Sequence, residues 1–174
     1  MPIGIIFLIQ LILGYVAWLL CFAAYGLPKL RSMDRVRAHR AIATLHSFRF
    51  FGLVFLVPGV VGPGLPAGFA PAAAYGDFAT GLLALLALLT VRIRPLFWGL
   101  VVAFNLVGVG DLLIDYARAV RGGLPEHAGA LGAAYVIPIL YVPLLMITHG
   151  YALYGLARRR PRAAAVHAGE ATAS

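Results

Sequence analysis

Five long apolar runs, separated by short polar or proline-containing segments, constrain this chain more than any other feature of its sequence. The first run, residues 3–25, contains no charged side chain. A helix of about 20 apolar residues crosses a hydrocarbon core of about 30 Å. The whole chain is 62% hydrophobic and 11% charged, whereas typical soluble chains are about 45–50% apolar and about 25% charged. We therefore predict an all-α fold, a polytopic transmembrane helical bundle, and not a soluble domain.

The boundaries of these runs predict five spans within one domain. We expect a single transmembrane helical domain at residues 1–157, followed by a basic, disordered cytoplasmic tail at 158–174. No basic residue precedes the first run, so we expect a retained span and not a cleaved signal. The uncharged segment 62–75 is expected to be a loop or a short interfacial piece. The five spans are expected at residues 3–25, 44–61, 73–91, 96–117 and 130–156.

The basic residues are distributed unevenly among the segments that connect the spans. With an outside N-terminus, eleven of them fall on the cytoplasmic side and two, Arg118 and Arg121, fall on the outer side. Arg49, inside the second span, is left out of this count. Cytoplasmic segments carry an excess of lysine and arginine, so we predict an outside N-terminus and a cytoplasmic C-terminus. The basic residues form no groove or stripe, which argues against a nucleic-acid partner despite the net charge of +8.

Residue usage points to a source and a compartment. Thirteen of the fourteen lysine and arginine residues are arginine, and alanine and glycine are abundant, which is typical of GC-rich bacterial genomes. We expect a multi-pass protein of the bacterial inner membrane, with membrane lipid as its immediate partner. The single cysteine, Cys21, cannot form an intramolecular disulfide, and no thiolate metal site is indicated.

The fourth span carries polar residues in its outer half. Asp111 and Asp115 lie one helical turn apart, and Asn105 precedes them. Gly108 lies on the same stripe of the helix, where a neighbouring span is expected to approach closely. Two carboxylates at this spacing repel each other if both ionise, so they are expected to share one proton. Asp77 opens the third span at the same outer face. We favour a structural role for these polar residues in helix capping and pairing; the alternative is an ion or proton site formed by the four. Three carboxylates are not a specific metal signature, and no metal is predicted.

A second set of polar residues is expected in the cytoplasmic half. His46 and Arg49 lie on the second span and His149 lies on the fifth. Two facing imidazoles are able to ligate a haem iron axially, with Arg49 holding a propionate or another anion. The alternative is that Arg49 reaches the headgroups and that the histidines cap or bond to the backbone. No cofactor is predicted; haem is the alternative that a pair of facing histidines would allow. The remaining histidines of the loops, His39 and His127, are expected to be solvated.

Two segments carry a resemblance to known proteins: Asn105-x-x-Gly108-x-x-Asp111 and Pro138-x-x-x-Val142-Pro143-Leu144-Leu145-x-x-x-His149. They resemble patterns in small bacterial inner-membrane proteins of uncharacterised families. The resemblance covers roughly the fourth and fifth spans and implies a membrane setting, with no reaction, substrate or cofactor. A third segment, Gly26-Leu27-Pro28-Lys29-Leu30, is similar to the small four-span proteins of the DoxX type, but the five spans expected here differ from the span count of that family.

No motif in the sequence specifies an activity. Small size and the lack of a catalytic constellation favour a non-catalytic accessory or assembly component, either as a homo-oligomer or within a membrane complex. One alternative is a small ion, proton or solute transporter that uses the outer aspartates, although no internal repeat supports it. The other is a membrane redox or haem-binding protein that uses His46 and His149.

Overall fold

The computed structural model describes residues 1–158, so the predicted disorder of the tail falls on residues outside the described part. Residues 1–158 form α-helices joined by 3-10 and π-helical segments, and they contain no β-strand. The all-helical prediction is therefore confirmed for this part of the chain. The α-helices are α1 (Ile3–Cys21), α2 (Leu27–Ser32), α3 (Arg35–Ser47), α4 (Phe69–Leu89), α5 (Arg94–Arg121) and α6 (Val142–Ala157).

Four helical stretches among the described residues are long and apolar enough to cross a membrane. The first is longer than expected, because the π-helical turn Phe22–Gly26 joins α1 to α2 without a break. The last begins in a second π-helical turn, Ile137–Tyr141, that leads into α6. The expected span at 130–156 is thus shortened, since residues before 136 form a separate 3-10 segment, Leu124–Tyr135. The four stretches are Ile3–Ser32, Phe69–Leu89, Arg94–Arg121 and Ile137–Ala157.

The second expected span, 44–61, has different boundaries in the structure. Helix α3 begins at Arg35, because Asp34 caps it by accepting hydrogen bonds from the Val36 and Arg37 backbone N–H groups, each 2.9 Å long. Both hydrogen bonds lower the pKa of the Asp34 carboxyl, and the one from the Arg37 backbone contributes more. A 3-10 helix, Phe48–Leu56, continues α3 directly. Such a long 3-10 run is uncommon, and it contains Arg49.

The connections between helices gather at two ends of the molecule. At the end that carries the N-terminus, the Gly62 amide donates to the Ala130 carbonyl over 2.7 Å. The Ala133 amide donates to the Val60 carbonyl over 3.3 Å. At the opposite end, the Arg35 guanidinium donates to the Leu156 carbonyl over 3.3 Å. The basic segment 29–40 therefore lies beside the end of α6.

Two apolar clusters fill the interior, one toward each end. The cluster near the N-terminus is built around Phe55, Phe69 and Leu131, and the other around Phe97 and Phe104. Large apolar side chains remain exposed along α1, α4 and α5. This is the pattern expected of helices whose outer faces contact lipid, because hydrocarbon is as apolar as those side chains.

Candidate functional site: a buried polar cluster around Arg49

A fully enclosed arginine lies at the centre of the bundle, between the two apolar clusters. The side chain of Arg49 has no exposed surface. Its Nε donates to Asp77 Oδ1 of α4, and its Nη2 donates to Asp111 Oδ2 of α5, both over 2.6 Å. Its Nη1 lies 3.3 Å from the Gly108 carbonyl and 3.3 Å from His149 Nε2 of α6. One guanidinium thus joins the 3-10 helix to three other helices.

The two carboxylates compensate the cost of burying this cation. Ionised donors and acceptors form shorter and stronger hydrogen bonds than neutral ones, and both Arg49 pairs are short. Removing one partner of a buried pair leaves an uncompensated charge, which costs about 3–5 kcal/mol. Asp77 and Asp111 are themselves nearly enclosed. The cluster is therefore expected to contribute to stability as a unit.

The hydrogen bonds around His149 determine which of its nitrogens carries the proton. Its Nδ1 is 2.9 Å from Asn105 Oδ1, whose amide Nδ2 donates to the Val101 carbonyl over 2.7 Å. Since the Asn105 oxygen accepts, Nδ1 carries the proton. Nε2 then presents its lone pair to the Arg49 guanidinium. Asn105 thus orients His149, and His149 in turn bonds to Arg49.

His46 is buried beside this network and leaves one nitrogen unsatisfied. The Thr148 hydroxyl donates to the Leu144 carbonyl over 2.8 Å, so its oxygen accepts from His46 Nε2 at 3.0 Å. His46 Nδ1 then carries a lone pair and has no hydrogen-bond partner among residues 1–158. No sequence pattern indicated that Thr148 takes part, because a threonine in an apolar helix commonly bonds to its own backbone.

The two imidazole rings stack against each other. Their centroids are 3.8 Å apart and their planes are inclined by 35°. A haem iron needs one imidazole nitrogen about 2 Å away on each side of the porphyrin plane. Stacked rings leave no gap for a porphyrin, and both Nε2 atoms already bond to protein groups. This geometry does not fit axial haem ligation.

Three glycines allow the charged groups to approach so closely. A Cβ at Gly52 would overlap the Asp77 side chain, and a Cβ at Gly76 would overlap the Asp111 carboxylate. A Cβ at Gly108 would overlap His149 Nε2 and lie 2.8 Å from Arg49 Nη1. Small residues at helix contacts permit close packing in membranes. The position of Gly108 on the Asp111 stripe was a sequence signal for this approach, whereas nothing distinguished Gly52 or Gly76.

Asp115 lies apart from the ion pairs. Within the described chain it forms no ion pair, not even with Arg118, and its Oδ1 is enclosed without a hydrogen-bond partner. It lines a cavity of about 110 Å³ together with Asp77. The other walls are largely apolar and come from α1, α5 and the segments near the N-terminal end.

The expected division into an outer and an inner layer is wrong. Arg49 was placed near the cytoplasmic end because the second span was predicted to begin at residue 44. Helix α3 begins nine residues earlier, at Arg35, so Arg49 lies deep enough to reach Asp77 and Asp111. His39, expected to be solvated, is 3% exposed, whereas His127 is exposed as expected.

The described residues contain no group of three or more histidine, cysteine, aspartate or glutamate side chains placed to hold a metal ion. Cys21 is exposed on the first span. The contacts of Arg49 are ion pairs and hydrogen bonds with groups of the same chain.

Comparison with known proteins gives one match. The family model for a domain of unknown function, DUF8737, matches residues 6–157, which include every residue of the Arg49 cluster. No curated protein and no solved structure matches the chain. The expected family without an assigned activity is confirmed by this match. Since the model covers most of the chain, the protein belongs to the DUF8737 family.

Proposed function

We propose that this protein is a non-catalytic accessory or assembly component of the bacterial inner membrane, held in shape by the Arg49 cluster. The observation that carries the proposal is the complete enclosure of Arg49 by groups of the same chain. An arginine that binds a substrate or an anion needs a free edge of its guanidinium. Here Nε, Nη1 and Nη2 all have protein partners, which favours a structural role.

The proposal includes five crossings with an outside N-terminus. The fifth crossing is the stretch Arg35–Leu56, in which 13 α-helical and 9 3-10 residues rise about 37 Å, at about 1.5 and 2.0 Å per residue. That exceeds the hydrocarbon thickness of about 30 Å. The polar start of this stretch explains why composition alone does not identify it as a span. The excess of basic residues at the end with Arg35 and Arg158 supports a cytoplasmic location for that end.

Reporter fusions test this topology. Alkaline phosphatase fused after Ser174 should be inactive, and green fluorescent protein fused there should be fluorescent. Phosphatase inserted after Gly123, in the opposite connection, should be active. High phosphatase activity at the C-terminus would rule out an odd number of crossings with an outside start.

The accessory role is tested by the behaviour of the intact chain in two membranes. Extracted from its native membrane in mild detergent, the protein should co-elute with another polypeptide, or with copies of itself, at a fixed ratio. Expressed alone in a foreign membrane and reconstituted, it should show no ion flux above empty liposomes. A monomer in native extracts that also conducts ions would contradict the proposal.

A proton or cation pathway is the second candidate, favoured by the balance of charge. Three carboxylates, those of Asp77, Asp111 and Asp115, lie near two guanidinium groups, Arg49 in ion-pair contact and Arg118 at longer range. An uncompensated carboxylate in a low-dielectric interior costs several kcal/mol, so the surplus negative charge requires a proton or a cation. Asp115, at the wall of the cavity, is the group through which that charge would exchange.

Proteoliposomes with an internal pH dye distinguish the two candidates. Under an imposed potential, a pathway predicts acidification that Asp115→Asn abolishes without a change in thermal stability, because Asp115 forms no ion pair among residues 1–158. Asp34→Asn is the matched control, because it removes the same charge at the surface and asparagine also caps helices. Flux equal to that of empty liposomes would exclude the pathway and leave the structural role.

A further inference from the structure

A second, larger cavity lies at the end of the molecule that carries the basic segments. It has a volume of about 800 Å³ and is enclosed by α2, the start of α3 and the end of α6. Its described walls contain three arginines and no carboxylate. The residues that carry the argument are Leu30, Arg31, Arg35, His39, Tyr154 and Arg158.

Two of these arginines are already held in position. The Arg35 guanidinium lies 4.8 Å from the centroid of the Trp98 ring and donates to the Leu156 carbonyl. The Arg158 guanidinium lies 4.5 Å from the centroid of the Tyr154 ring. Contacts with aromatic faces orient a cation without neutralising it. The positive charge of the cavity therefore remains available to an anion.

His39 supplies an unsatisfied acceptor in the same wall. It is 3% exposed, and its Nδ1 donates to the Arg35 carbonyl over 2.8 Å. Its Nε2 therefore carries a lone pair, and it is buried without a hydrogen-bond partner among residues 1–158. Gly155, also in the wall, lies against the same edge of the ring; a Cβ there would be 3.8 Å from Nε2, an ordinary van der Waals distance. A buried acceptor of this kind suits a hydroxyl donor.

Apolar side chains complete the cavity on the side of the first span. Leu27, Leu30 and Met33 line it beside the arginines. A ligand that satisfies all of these groups has a phosphate, a hydroxyl and a hydrocarbon portion. Basic pockets between transmembrane helices on the cytoplasmic side bind anionic lipid headgroups, and the surrounding bilayer presents such molecules at this depth.

We propose that this cavity binds one anionic phospholipid with a hydroxylated headgroup, of which phosphatidylglycerol is the simplest. The arginines contact the phosphate, His39 Nε2 accepts from a headgroup hydroxyl, and the leucines contact the start of an acyl chain. The inference does not depend on the role of the Arg49 cluster, which shares no residue with this cavity.

Native mass spectrometry and thermal shift of the full chain in a neutral detergent test the proposal. Phosphatidylglycerol should bind at one per chain and raise Tm, whereas phosphatidylcholine should not. Arg31→Gln with Arg158→Gln should weaken phosphatidylglycerol binding about 30-fold, since each basic group near a lipid surface contributes about a factor of five. His39→Phe should reduce the preference for phosphatidylglycerol over phosphatidic acid, which lacks the headgroup hydroxyls.

Arg92→Gln with Arg94→Gln is the matched control, because it removes two charges at the same end from a different surface. It should leave binding unchanged. An equal loss of phosphatidylglycerol affinity in the control pair would mean that general surface charge, and not a specific site, binds the lipid. That result would overturn the proposal. So would equal binding of phosphatidylcholine. If glycerol 3-phosphate binds as tightly as phosphatidylglycerol, the ligand is a soluble phosphate and not a membrane lipid. That result would also overturn the proposal.

Discussion

Helix α1 and the Arg49 cluster hold neighbouring helices by opposite means. In the most apolar window of the first span only 11% of the residues are buried, against 39% in α4. Helix α1 touches the rest of the bundle through a narrow stripe, in which Gly14 lies against the Ile139 carbonyl and Trp18 Nε1 donates to the Leu140 carbonyl over 2.8 Å. No charged side chain takes part. The Arg49 cluster, in contrast, places one cation and two anions at the centre of the bundle.

The two regions differ in how strongly they specify the packing of their helices. Van der Waals contact and single hydrogen bonds hold α1, and each contributes little because lipid solvates the same apolar surface equally well. At Arg49, any other arrangement of the 3-10 helix, α4 and α5 leaves a charge unpaired. The cluster therefore penalises wrong packing strongly, whereas α1 tolerates small displacements.

The largest expected effect is the loss of the central cation. Arg49→Met leaves Asp77 and Asp111 buried without their partner, and the expected cost is about 3–5 kcal/mol. Thermal or denaturant unfolding in detergent measures it. Arg37→Met is the control, because the Arg37–Asp34 pair is 79% and 58% exposed and such pairs contribute about 0.2–1 kcal/mol. Equal stability of the two variants would contradict the enclosure of Arg49.

An intermediate effect is expected from a single methyl group beside the cluster. Gly108→Ala forces Arg49 and His149 to move, and overpacking of this kind costs about 1–3 kcal/mol. Gly110→Ala, two residues along α5, meets no atom within 4 Å. That control should be neutral or stabilising by up to about 1 kcal/mol, since alanine favours helix over glycine. The same unfolding assay measures both variants. If Gly108→Ala has no effect on stability, Arg49 and His149 do not pack tightly against Gly108.

The smallest effect is expected at α1. Trp18→Phe removes the hydrogen bond to the Leu140 carbonyl, at a cost of about 0.5–1.5 kcal/mol. Hydrogen exchange should increase in α1 while the amides around Arg49 remain protected. Leu13→Phe, on the exposed side of α1, should change hydrogen exchange neither in α1 nor at the amides around Arg49. A global loss of protection in Trp18→Phe would mean that α1 and the cluster unfold as one unit.

The sequence predicts the helices better than it predicts the site. The length of the apolar runs was sufficient to predict α4 and α5, because a membrane helix must exceed a minimum length whatever its partners. The stripe of Gly108 and Asp111 also predicted a buried face on α5. The depth of Arg49 was not predictable, because the cap at Asp34 moves the start of α3 into a segment that composition assigns to a basic loop.

The pairing of Arg49 with two aspartates was equally inaccessible from sequence. It depends on a 3-10 helix whose register no periodicity indicated. It also depends on the close approach of side chains at Gly52 and Gly76. No local sequence pattern distinguishes these two glycines from other glycines in a membrane helix.

A double-mutant cycle tests the central claim, that Arg49 is a buried cation paired with Asp77 and Asp111. Asp77→Asn with Asp111→Asn is measured in the wild type and in Arg49→Met, by unfolding in the same detergent. We expect the asparagine pair to destabilise the wild type and to stabilise Arg49→Met, with a coupling energy of about 1.5–3 kcal/mol. Additive effects, with the asparagine pair destabilising both backgrounds equally, would contradict the claim.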